Sequence, residues 1–257
     1  MSEEKLLEVV KKVGEFKGWY ILSRYYPLDE TFMRKYKWRL NWLALSECQK
    51  MNEMFIEEHA GLVNWNAISM FQKLSSDFIK RNISHLSTFL VLKYQRIPET
   101  EIERYMVTKE LIEHACQYQR LSEEMIGKYN LQEKIKDNWI YKSTEEKKQE
   151  VVNSGLYECY DSYFIAYKGI RKDRYSRINF QYKYLKGETY LCHADHTDAE
   201  NSFGFSAWTK EKAKEYCDEL VIKGKIYYHG VARIFPCDGK IRCKRLTVLD
   251  QYMLFSL

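Results

Sequence analysis

No apolar run in this chain of 257 residues approaches the roughly 20 residues that a membrane-spanning helix needs. Met1 to Val10 has neither the basic start nor the apolar centre of a secretion signal, so the expectation is a cytoplasmic protein without a membrane partner. The seven cysteines are odd in number and widely scattered, which fits free thiols in a reducing compartment better than a disulfide framework. Cys217, Cys237 and Cys243 lack the close paired spacing of a structural zinc site, while Cys48 and Cys116 read as small core residues. There is no nucleophile elbow, no glycine-rich phosphate loop and no metalloprotease motif. A net charge of +5 is too small for a dedicated duplex-DNA binder, which carries a much stronger basic footprint.

What the chain does have is a repeat. A shift of 23 places sets Trp65 on Trp42 and Trp42 on Trp19, carries Ser69 onto Ser46 and Ser23, and relates Gln49, Gln72 and Gln95; one residue more reaches Gln119. Five copies result, with second halves "PLDETFM", "KMNEMFI", "KLSSDFI", "RIPETEI" and "RLSEEMI". In these, Asp29, Asn52, Ser75, Pro98 and Ser122 stand where a helix should start. Asp, Asn and Ser accept from the first free backbone N–H groups, and Pro has none to leave unsatisfied. Each copy is therefore two short helices with one apolar side, which a lone pair cannot bury and stacked neighbours can. That predicts an α-solenoid in which the Trp and Phe stripe is core. Thr88 and Glu101 replace the Trp and Phe of the fourth copy, where packing should be weakest or remodelled. "MSEEKLLEVVKKVG" reads as a capping helix ended by Gly14.

The texture changes after the charged connector "KSTEEKKQEVVNSG". "SYFIAYKGI", "INFQYKYLKGETYLCH", "ELVIKGKIYYHGVARIF" and "KIRCKRLTVL" alternate as strands do. "TKEKAKEYCDEL" reads as a helix capped by Thr209, with Ala213, Tyr216, Cys217 and Leu220 on one face. The expected fold class is α+β: helical-hairpin repeats over residues 1–141, a connector over 142–155, and a small antiparallel-sheet domain with at least one helix over 156–257. From Gly155 onward there are 17 Lys and Arg against 13 Asp and Glu, leaving 24 against 23 before it, so an anion would go to the C-terminal part.

The Trp/Ser/Gln and "LSxxFI" repeats resemble helical repeats common in proteins of bacteriophages, large DNA viruses and gut bacteria. "AYKGIRKDRYSRINFQYKYLKGETY", "ENSFGFSAWTKEKAKEYC" and "GKIRCKRLTVL" are similar to a phage-type domain without an assigned role. The resemblances imply a phage or mobile-element origin, hence a host bacterial cytosol, and supply no catalytic residue. The Lys-Gly strand, "FGFSAWT" and the following helix also resemble the layout of ADP-ribosyltransferases. That match is incomplete, because "KIRCKRLTVL" lacks the late-strand glutamate and Glu211, Glu215 and Glu219 fall on the predicted helix.

Two stretches carry chemistry. In "KGIRKDRYSRINFQYKY", Lys168, Arg171, Lys172, Arg174 and Arg177 stand among Tyr167, Tyr175, Phe180, Tyr182 and Tyr184, supplying cations for phosphate and π-faces for a base. Alternatively these form a solvated strand surface over an aromatic core. In "CHADHTDAEN", His193, Asp195, His196 and Asp198 offer donors for a divalent ion, although such loops are usually turns. The candidate ligand-binding set is Lys168, Arg171, Lys172, Arg174, Tyr175, Tyr182, His193 and Trp208, with no catalytic residue, metal or cofactor assigned. The expected function is a phage-type accessory protein that binds a nucleotide-like small molecule without turnover, including host defence signals. The alternatives are an ADP-ribosyltransferase-like enzyme using NAD and a scaffold gripping a host protein through its repeats.

Overall fold

The structure, a computed structural model, describes residues 1–217 and 219–253, the last three by backbone only. It is α+β: helices dominate the N-terminal part and antiparallel sheets follow. Two compact units are formed, Met1–Val91 with Ile178–Tyr182, and Leu92–Arg177 with the chain from Lys183 onward. No helix among the described residues is long and apolar enough to cross a membrane.

After Glu3–Val13, which stops at Gly14 with φ 90°, the helices come two per copy. They are Glu15–Tyr25 and Glu30–Lys35, Trp42–Cys48 and Glu53–Glu58, Trp65–Phe71 and Ser76–Asn82, Thr88–Tyr94 and Glu99–Ile102, and Lys109–Tyr118 and Glu123–Lys128. Asp29, Asn52, Ser75 and Ser122 cap the second helices, each side chain accepting from the backbone N–H three residues on. Asn41 and Asn64 cap the first helices of two copies in the same way. In the first unit, helix Glu15–Tyr25 packs on Trp42–Cys48, which packs on Trp65–Phe71.

A polar spine runs at the repeat period. Gln49 accepts from the Leu28 N–H (3.0 Å) and donates to the carbonyls of Ser23 and Tyr26 (2.9 and 2.8 Å). One copy on, Gln72 accepts from Met51 and donates to Ser46 and Gln49. In the second unit Gln119 accepts from Ile97 and donates to Leu92 and Gln95. Each amide thereby satisfies backbone groups that the irregular turn of the preceding copy would otherwise bury unpaired.

The Trp stripe is less deeply buried than the repeat pattern suggests. Trp19 is in the core, but Trp42 and Trp65 are half-buried, each donating its indole N–H to a carbonyl, of Lys37 and Ala60, and stacking on His59 and His85. The core proper is Leu45, Phe55, Ile56, Ile68, Phe78 and Ile79. In the fourth copy the second helix shortens to four residues and runs on as a 3₁₀ turn, Glu103–Tyr105, where Glu101 stands in place of Phe. The segment 142–155 holds helix Thr144–Asn153, fixed by a reciprocal capping box between Ser143 and Glu146.

The strands are β1 (Glu158–Cys159), β2 (Tyr163–Ile170), β3 (Thr189–Leu191), β4 (Phe205–Ala207), β5 (Leu220–Tyr227), β6 (Val231–Phe235), β7 (Lys240–Cys243) and β8 (Arg245–Met253). They form one sheet ordered β1-β2-β5-β8-β3 and another ordered β4-β7-β6, antiparallel throughout. Gly169 lets helix Lys210–Tyr216 lie directly on β2, since a Cβ there would run into the backbone of Ala213 and into Cys217.

Two expectations are corrected. The stretch Ile178–His193 is not a long strand: it holds only β3 and an isolated bridge from Lys183 to Tyr175. Turn chemistry outweighs its aromatic alternation, because Arg174 sits at φ 70°, the Asn179 side chain accepts from the Gln181 N–H, and Gly187 turns at φ 85°. Instead Phe180 is buried in the first unit, its N–H donating to Cys48 (2.8 Å) while Gln181 donates to the Gln49 carbonyl (3.0 Å). The helix capped by Thr209 ends at Tyr216, so Cys217 is its C-cap and Leu220 opens β5 rather than extending the helix face.

Candidate functional site

The residues singled out between Lys168 and Tyr182 take different roles. Lys168, on β2, is buried; its ammonium donates to the Ser206 carbonyl (3.1 Å) and lies 5.7 Å from the Tyr184 ring, and burial pushes its pKa down to about 8. Arg171 pairs with Asp173 at 2.7 Å. Lys172 and Arg174 are exposed, the Lys172 backbone N–H donating to Glu219. Tyr175 is half-buried with Lys183 over its ring at 5.8 Å. Tyr182 belongs to the first compact unit and the other seven residues to the second. Trp208 is buried, stacked on Tyr216 at 4.7 Å, and exchanges backbone hydrogen bonds with Tyr167, which brings it beside Lys168. His193 lies among different neighbours.

Those neighbours bring several cations without ion-pair partners near one another among the described residues. Pairing of β3 with β8 puts Leu191 opposite Arg245, and the Cys192 N–H donates to Lys244 (2.9 Å), which sets His193 beside Lys244. The Lys244 N–H donates to Gly230 (2.8 Å), tying in the turn Tyr228–Gly230 on which helix Thr144–Asn153 packs with Lys147. The loop after His193 is held by Arg242, fully buried, which donates to the carbonyls of Asp195, Thr197, Ala199 and Glu200. The His193 ring stacks on Phe203 (5.2 Å), which lies 4.8 Å from Tyr94. Arg96 and Arg120 follow Gln95 and Gln119 in their turns and complete the group.

The electrostatics are unusual because each cation faces other cations. Lys147, 4% exposed, is pushed down to about 8 by burial and then by Lys244 and Arg120. Lys244 is held below the ordinary lysine value by burial, Arg120 and Arg96. His193 falls to about 4, through burial and Lys244, and His196 to about 2, through burial, Lys244 and Lys147. His196 is 2% exposed and neither ring nitrogen has a partner; His193 Nε2 is likewise buried without one. The side chains of Arg96, Arg120, Lys147 and Lys244 make no ion pair or hydrogen bond among the described residues. Asp195, the one carboxylate within the His193–His196 segment, is already engaged, with Thr197 at 2.9 Å and Arg242 at 3.9 Å.

Of the four cations Lys147 is buried, Lys244 half-buried and Arg96 and Arg120 exposed. An unpaired buried ammonium and imidazole cost free energy unless something anionic meets them, so the arrangement suits an anion. It does not suit a metal ion: among the described residues no group of three or more His, Cys, Asp or Glu side chains is placed to hold one, and Asp198 is exposed. Burial raises the Cys192 thiol well above its ordinary value and Cys243 to about 12, so neither is a thiolate nucleophile at neutral pH. A separate concavity of about 480 Å³ lies beside Trp139, between Lys142 and Arg233.

Four residues of this cluster escaped the sequence reading. For Arg96 and Arg120 the signal lay in the repeat: a basic residue follows each of its glutamines, as Lys50, Lys73, Arg96 and Arg120. Lys147 and Lys244 carried no such mark. No family model matches the chain, and no curated protein or solved structure matches it either.

Proposed function

We propose that the second unit binds a nucleotide-like anion without turning it over, at the group formed by Arg96, Arg120, Lys147, Lys244, His193 and His196. The observation that carries this reading is the buried, partnerless state of His196 near Lys147 and Lys244, neither of which makes an ion pair among the described residues. The His193 ring stacked on Phe203, with Tyr94 tilted against Phe203, gives the same place aromatic surface for a base. In this reading the repeats form an α-solenoid serving as a rigid frame, and the protein is a phage-type accessory factor that sequesters a host signal in the cytosol. Calorimetry of the full chain with ATP, NAD and a cyclic dinucleotide tests it. Binding should weaken as salt rises, and chromatography should recover the ligand unchanged. Loss of nicotinamide from NAD would mean an ADP-ribosyltransferase-like enzyme instead.

A scaffold reading has one observation of its own. Phe16 is 95% exposed, Trp38 79% and Met54 72%, all in the helical first unit, where a host protein could dock. Absence of heat with every nucleotide, together with retention of a host protein that Phe16→Ser abolishes, would favour it.

A further inference from the structure

The proposed anion site has more positive charge, spread more widely, than one phosphate can answer. Arg96 and Arg120 occupy the same position in successive copies, and Gln119 ties the copies together by donating to the Gln95 carbonyl at 2.8 Å. Their turns are thus fixed side by side, at the separation of about 8–10 Å that packed helices keep. Lys147 comes from the helix Thr144–Asn153 and Lys244 from the junction of β7 and β8. Four cations from four places make no ion pair among the described residues, whereas one phosphate group carries a charge of about −1.5 to −2.

We propose, building on that reading, that the site selects a small ligand with two or more linked phosphates, its phosphate chain running between the Arg96–Arg120 pair and the Lys147–Lys244 pair. A single phosphate engages one pair and leaves the other repelling itself. A chain reaches both and neutralises both. Buried His196, with two unpartnered nitrogens, then supplies hydrogen bonds that an exposed basic patch cannot, which separates this site from the basic residues of the first unit. Lys50 and Lys73 have the same repeat position as Arg96 and Arg120 and are exposed as those are, but they belong to the first unit, away from His196 in sequence and in fold unit.

The test is calorimetry of the full chain at fixed ionic strength with inorganic phosphate, pyrophosphate and tripolyphosphate. ATP and a short single-stranded oligonucleotide distinguish a nucleoside polyphosphate from a phosphodiester chain. Affinity should rise about tenfold or more from phosphate to tripolyphosphate, as each added pair engages. Arg120→Met and Lys147→Met should each erase most of that gain while leaving phosphate binding within about threefold, and Lys50→Met should change nothing. Removing a buried unpaired cation does not threaten folding, so Lys147→Met remains readable. Equal affinity for phosphate and tripolyphosphate would overturn the selection for a chain but leave an anion site. A loss with Lys50→Met as large as with Arg120→Met would reduce the effect to general surface charge. No heat with any anion would overturn the anion site itself.

Discussion

Gln72 is 3% exposed and His196 is 2% exposed, so the chain buries both to the same degree, yet it treats them in opposite ways. The Gln72 amide makes three hydrogen bonds to the copy before it; the His196 ring makes none. Ser23 and Ser46 follow the glutamine pattern, each donating to a carbonyl one turn back and accepting the N–H of Asn41 or Asn64. Buried Lys147 follows the histidine pattern. Where polar groups are buried for architecture, their partners come with them from the repeat. Where a buried polar group has no partner, as at His196, the folded state carries the cost of burying it, and a ligand that supplied the partner would remove that cost.

The largest expected effect comes from breaking the satisfied side. Gln72→Ala should destabilise the protein by about 2–4 kcal/mol in urea unfolding, because it leaves the Met51 N–H and two carbonyls buried without partners. Loss of less than about 0.5 kcal/mol would mean water takes over the role and the spine is not structural.

The unsatisfied side should respond with the opposite sign. Lys147→Met removes a buried cation and keeps its apolar stem, so stability at pH 7 should rise by about 1–2 kcal/mol. The same logic fixes a pH dependence. The folded pKa of Lys147 is about 8 against an ordinary lysine value of 10.5, so between these values the unfolded chain binds more protons than the folded one. Wild-type stability must therefore increase from about pH 8 upward relative to Lys147→Met, and the gap should close toward pH 10. A difference that stays constant across that range would place the Lys147 ammonium in water.

Acid gives a smaller, independent check on the histidines. His196 is held near 2 and His193 near 4, both below the ordinary 6.5, so each is neutral in the folded protein while the unfolded chain takes up protons. Stability should fall as pH drops below about 6.5, and His196→Leu should flatten that fall in a series of melting curves from pH 7 to 5. A bound polyphosphate should flatten it too, by raising the imidazole pKa values in the folded state.

How much of this was legible in the sequence follows from which physics repeats. Caps at Asp29, Asn52, Ser75 and Ser122 were readable because one short side chain acts on its own helix. Strands β2 and β5 were readable from alternation. Phe180 was misassigned to a strand because its partner, the Cys48 carbonyl, lies more than a hundred residues away in the chain. The cation cluster was unreadable for the same reason: Arg96, Lys147, His193 and Lys244 are dispersed, and only His193 sat in a stretch dense enough to notice. The depth of Trp65 was overestimated, since recurrence marks a shared environment and not a dry one; its indole N–H reaches Ala60 at the edge of the core.

The smallest effect separates the two candidate regions directly. Arg174 is exposed, holds φ at 70°, and has its carbonyl fixed by the Tyr184 N–H at 2.8 Å, so its backbone conformation is imposed and its side chain is in solvent. Glycine adopts that conformation without a Cβ clash, at the expense of a more flexible unfolded chain, so Arg174→Gly should change stability by about 0–1 kcal/mol, toward higher stability. Its effect on anion binding should be within about twofold, because the charge it removes lies outside the Arg96, Arg120, Lys147 and Lys244 group, and an exposed charge is screened over about 10 Å at moderate salt. Measuring tripolyphosphate affinity for Arg174→Gly beside Arg120→Met decides between them. A tenfold loss with the first and none with the second would move the site to the turn around Asp173 and leave the Arg96, Arg120, Lys147 and Lys244 group without a ligand.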